Sequence, residues 1–68
     1  MNTAEKLNVI TEAGSTYHIR KYGGEWVPVV IVGSKVFTGV HCSTSGGAMA
    51  SAIDLCATRS AALLEVAS

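Results

Sequence analysis

Between Thr16 and Val40 apolar side chains recur at every second position or run together, whereas from Gly47 onward they recur with a helical period. The first pattern predicts strands and the second a helix. The first strand covers 16–22, with Tyr17 and Ile19 on one face and His18, Arg20 and Tyr22 on the other. Gly23-Gly24 then forms a two-residue hairpin turn, because glycine accepts the positive φ that such turns demand. A second strand runs from Glu25 to Val32, with Val27, Val29 and Ile31 on one face and Trp26, Pro28 and Val30 on the other. Gly33-Ser34 turns the chain again, into a third strand from Lys35 to Val40 with Val36, Thr38 and Val40 together and Phe37 opposite. Taking Ile19, Val29 and Ile31 as the inward set leaves His18, Arg20, Tyr22, Trp26 and Lys35 facing outward.

Pro28 conflicts with this arrangement. The middle strand of a meander needs its backbone donors, and proline has none, so the pattern predicts a bulge at Pro28.

Beyond the loop Ser43-Thr44-Ser45-Gly46-Gly47, which also supplies N-cap candidates, a helix is predicted from Gly47 to Ala67. At 100° per residue Met49, Ala52, Ile53, Cys56, Ser60, Leu63, Leu64 and Ala67 share one side, and Ser51, Asp54, Thr58 and Glu65 the other. Leu55, Ala62 and Val66 make a second apolar strip on the flank, beside Arg59. A single chain with one core face does not need that strip, which makes it a self-association surface and the chain a homodimer. Residues 1–14 read as a short helix ended by Gly14 or as a mobile tail. The fold expected is therefore α+β. A three-stranded antiparallel meander over 15–68 carries one long C-terminal helix packed across one face, in a single domain.

Composition narrows the function. With 68 residues the core is small, and 49% hydrophobic content against 15% charged leaves apolar surface for a partner to cover. Five basic residues balance five acidic ones, with no run of either sign, so the electrostatic signature of nucleic-acid binding is missing. The N-terminus carries neither a basic n-region nor an apolar h-region, and the longest apolar run, 26–32, is far too short for a membrane helix. A cytoplasmic protein is expected.

The chemistry-bearing residues are few. His18, His41, Cys42 and Cys56 fit no zinc-ligand spacing, and the adjacent His41 and Cys42 would point to opposite faces of a strand. Cys56 falls in the helical core stripe and reads as a buried thiol rather than half of a disulfide. No orienting group accompanies a Cys-His nucleophile, and the acidic residues stand singly. Ser45-Gly46-Gly47 lacks the lysine of a phosphate-binding loop. These absences predict no catalytic residues, no metal and no cofactor. What remains is a surface: His18, Arg20, Tyr22, Trp26 and Lys35, a set rich in the residue types that dominate protein interfaces.

The run Lys35-Val36-Phe37-Thr38-Gly39, leading through Ser43-Thr44-Ser45 into an Ala-rich helix, resembles the second part of a double-stranded-RNA-binding domain. A helix at residues 3–13 would complete that layout. The phosphate-gripping start of that family's last helix falls at Gly46-Gly47-Ala48-Met49-Ala50, which carries no charge, so the resemblance extends to the fold and not to RNA affinity. The small sheet, the Ala-rich helix and the aromatic-basic face also resemble compact phage-encoded accessory proteins such as anti-CRISPR proteins. That resemblance implies a non-enzymatic inhibitor acting on a protein partner in the host bacterial cytoplasm, with nucleic-acid binding of the double-stranded-RNA type as the alternative.

Overall fold

The computed structural model describes residues 1–67. Its elements are α1 (Thr3–Ala13), β1 (Thr16–Tyr22), β2 (Glu25–Val32), β3 (Lys35–Thr38) and α2 (Ser45–Ala67), and the sheet order is β1-β2-β3. This is the expected α+β meander with a long C-terminal helix. The N-terminal segment forms a helix too.

Local chemistry explains α1. Asn2 caps it: its side chain accepts from the Glu5 amide at 2.9 Å, while Glu5 Oε1 accepts from the Asn2 amide at 3.2 Å, a reciprocal capping box. Gly14 ends it in the left-handed region at φ 68°, where a β-carbon would be strained. An eleven-residue helix is marginal alone, so packing must hold it. Ile10 is buried in the central apolar cluster, and Lys6 forms an ion pair with Asp54 of α2. Because that pair is half in solvent, Ile10 contributes the larger share.

Both hairpins have two-residue turns, and these set the register. Tyr22 pairs with Glu25, which places Ile19 opposite Pro28 and Tyr17 opposite Val30; Val30 in turn stands opposite Phe37. Directly paired residues share a face. The inward set is therefore Tyr17, Ile19, Pro28, Val30, Val32 and Phe37. This corrects the placement of Val29 and Ile31 beneath the helix: Val30 there is 0% exposed, while on the opposite face Ile31 is 39% exposed and Val29, at 8%, is buried among its sheet neighbours.

No bulge occurs at Pro28. Pairing with β1 runs residue for residue from Thr16↔Ile31 to Tyr22↔Glu25. The donor missing from Pro28 would have pointed toward β3, and there its carbonyl accepts from the Gly39 amide at 2.9 Å without a return bond. The extra residue lies in the segment that continues β3. Beyond Gly39 the next backbone pair is Cys42 with Trp26, at 2.7 and 2.8 Å, so Val40 and His41 together stand opposite Val27.

Thr44 caps α2, its hydroxyl accepting from the Gly47 amide at 3.1 Å, so the helix begins two residues before the predicted Gly47. Ala48, Ala52, Cys56 and Ser60 form its fully buried row, with Ile53, Leu55 and Leu64 half-buried beside it. Small side chains let the helix lie close over Val30. Ala57 is also buried, although it lies outside the single predicted face; this is consistent with α1 packing chiefly along α2 and covering a second flank. Leu63, Met49 and Ala67, expected inside, are exposed. They sit toward the ends of a helix about 34 Å long, more than the sheet beneath can cover. Leu63 reaches the end of the sheet beside the Gly33 turn.

A polar seam closes the junction of α1, β1 and α2. The buried Ser60 hydroxyl donates to Ser15 Oγ at 2.7 Å, and the Cys56 thiol lies 3.7 Å from the Thr16 carbonyl and 3.9 Å from Ser60 Oγ. Burial raises the Cys56 thiol above its ordinary value, outweighing the lowering contacts from Ser60 and Ser15.

Candidate protein-interaction surfaces

Both helices pack on the same side of the sheet, so among the described residues no element covers the other sheet face. The alternation of each strand supplies that face: Thr16, His18, Arg20 and Tyr22 from β1, Glu25, Val27, Val29 and Ile31 from β2, Val36 and Thr38 from β3. Val27 and Val29 form the floor of a shallow groove whose walls include Arg20, Tyr22, Thr38 and His41. Ile31 and Val36 extend the apolar row, with Val36 63% exposed, and Val40 stands fully in solvent at the bulge.

The rim of this groove is ordered by side-chain contacts. Glu25 Oε1 lies 3.4 Å from His41 Nδ1, and the His41 ring meets the Tyr22 ring edge-on at 6.2 Å. The Glu25–His41 pair is exposed on both sides, so it orients the imidazole more than it stabilises the fold. Arg20, directly opposite Val27, forms no ion pair among the described residues.

The residues predicted as one partner-binding surface divide between the two faces. His18, Arg20 and Tyr22 gather on the helix-free face as expected. Trp26 and Lys35 do not join them: opposite Lys21 and Val32 respectively, they belong to the helix side. Trp26 is half-buried, with the Lys21 ammonium 5.7 Å from its ring centroid. Val27, Val29, Ile31, Val36, Thr38 and His41 are the members the sequence reading missed. A signal for them existed. Once Gly23-Gly24 is taken as a two-residue turn, Ile19 must oppose Pro28, and an Ile19 on the helix side then places Val29 on the opposite face.

The flank strip read as a self-association surface also divides. Leu55 is half-buried against the core and close to Gly39, whereas Arg59, Ala62 and Val66 line a second groove with Leu63, Phe37 and Lys35. There the Arg59 guanidinium lies over the Phe37 ring at 4.5 Å.

Among the described residues no three His, Cys, Asp or Glu side chains converge as a metal site would require. Cys42 is half-buried, its thiol directed at the Val40 carbonyl at 3.4 Å and lying 3.9 Å from Ser51 Oγ. No helix among the described residues is long and apolar enough to cross a membrane. No family model matches the chain, and neither does a curated protein or a solved structure.

Proposed function

We propose that this chain is a non-enzymatic protein-binding module that holds its partner on the helix-free face of the sheet. One observation carries the reading: on a sheet face that no helix covers, the exposed Ile31 and Val36 continue an apolar row from the half-buried Val27 and the buried Val29, framed by Arg20, Tyr22 and His41. A protein interface has this build, with an apolar centre ringed by residues that couple large contact area to a polar tip. The resemblance to compact phage-encoded inhibitors extends the proposal to the partner's origin, a bacterial host protein of a defence machine met in the cytoplasm.

Double-stranded RNA is the weaker reading. The first turns of α2, where a phosphate grip would sit, present Ser45, Gly46, Gly47 and Met49 without a cation. Lys6, one of five basic residues in the chain, is already paired with Asp54. Phosphate affinity scales with the number of cations that release counterions, and here that number is small.

Site-specific photocrosslinking in bacterial cells tests the proposal. A photoreactive residue at Val36 should yield a discrete adduct with a host protein, lost on adding Arg20→Ala and Tyr22→Ala. The same probe at Glu12, exposed on α1, should yield none. Equal adducts from both positions, or none from Val36, would sink the reading.

A further inference from the structure

The second groove lies between the free edge of β3 and the flank of α2, apart from the sheet face described above. Lys35 and Phe37 form its strand wall, and Arg59, Ala62, Leu63 and Val66 its helix wall. Three properties converge there. First, the strand edge is open. Lys35, Phe37 and Gly39 turn their backbone groups toward β2, as the Gly39–Pro28 bond shows, so Val36 and Thr38 turn theirs outward. Second, the apolar part of the helix wall is uncovered, with Leu63 38% and Val66 86% exposed. Third, among the described residues the lining holds two cations, Lys35 and Arg59, and no carboxylate. Stacking on Phe37 fixes the Arg59 cation over the strand.

We propose that this groove receives an extended acidic segment of a partner protein, which adds to β3 as a fourth strand. Such a segment satisfies the outward N–H and C=O groups of Val36 and Thr38, and every second side chain of it enters the groove. A carboxylate there meets Arg59 or Lys35, and an apolar residue two positions along meets Leu63 and Val66. The charge argues against a second copy of this chain in the same place. A two-fold axis through β3 would bring the Lys35 and Arg59 of each copy together with no carboxylate among the described lining residues to offset them. Nucleic acid is a poorer match for the edge, because phosphate only accepts hydrogen bonds and leaves the strand carbonyls unpaired.

A random dodecapeptide display library, selected against the full chain, provides the probe. The expected binders are enriched in Asp and Glu alternating with apolar residues. Their affinity should fall tenfold or more in Lys35→Glu and in Arg59→Gln, and should fall with added salt. In the bound state the amide hydrogens of Val36 and Thr38 should become protected from exchange. Circular dichroism and the thermal midpoint confirm that each variant is folded, and Lys35→Glu, at an exposed position, keeps the test open if Arg59→Gln unfolds. Binders without acidic enrichment, or bound without protection at Val36 and Thr38, would overturn the proposal. So would edge protection that appears on concentrating the chain alone, which would assign the edge to a second copy, and so would the absence of any enriched peptide.

Discussion

Gly39 and the ring of Pro28 compete for the same space: a β-carbon on Gly39 would lie 2.7 Å from Pro28 Cγ and 3.7 Å from Leu55 Cδ2. The two residues also share half of a backbone pair, with the Gly39 amide donating to the Pro28 carbonyl. The proline ends the ladder with β3 on its donor side, and the glycine lets the third strand pass under the ring and α2. Neither residue explains the other's position without this contact.

Gly39→Ala should therefore destabilise the fold by about 1–3 kcal/mol, the range for overpacking, since a proline ring cannot swing aside. Gly46→Ala is the control. Its β-carbon meets nothing within 4 Å and it stands in the first turn of α2, so alanine there should stabilise by about 0.4–1 kcal/mol. Urea midpoints of the two variants should move in opposite directions. Equal shifts would show that Gly39 is not confined.

Val30→Ala should cost about 2–3 kcal/mol, from lost apolar burial plus the cavity left in a site enclosed by α2 and both neighbouring strands. Leu63→Ala should cost less than about 1 kcal/mol, because Leu63 already stands 38% exposed beyond the sheet. Chemical denaturation of both variants decides which side chain is core. A larger loss at Leu63 would reverse the assignment.

Trp26 and Tyr22, expected together on one partner surface, should behave differently. Half-buried on the helix side, Trp26 should lower the unfolding midpoint when replaced by alanine. Tyr22→Ala, at a 72% exposed position, should leave the midpoint within about 0.5 kcal/mol of the parent while reducing crosslinking from Val36. Melting curves paired with the crosslinking yield separate the two effects.

Alkaline pH should loosen the fold through Cys56. Burial raises its folded-state value above 9.0, so folding favours the protonated thiol. Its contribution is complete below 9.0 and is lost as pH rises through the folded-state value, because the unfolded chain ionises first. Denaturant midpoints should drop more steeply above pH 9.0 in the parent chain than in Cys56→Ala. Iodoacetamide should label the half-buried Cys42 first and Cys56 only on unfolding.

Local rules carried much of this architecture. Gly23-Gly24 and Gly33-Ser34 mark two-residue turns wherever they occur between apolar runs, and Gly14 and Thr44 bound helices through backbone geometry that depends on near neighbours. His18, Arg20 and Tyr22 emerged on one face because strand alternation is a property of the chain itself. The faces of β2 were different. Its side chains from Val27 to Val32 are apolar on both sides, so alternation alone names no inner face, and only pairing across the hairpins with Tyr17, Ile19 and Phe37 put Pro28 and Val30 under the helix. Likewise the helical period located the buried Ala52, Cys56 and Ser60, yet it could not show where the sheet ends beneath α2. That exposed Leu63, and the same tertiary placement set Arg59 over Phe37. Burial is decided by what arrives from elsewhere in the chain, and no local periodicity encodes the length or direction of a distant neighbour.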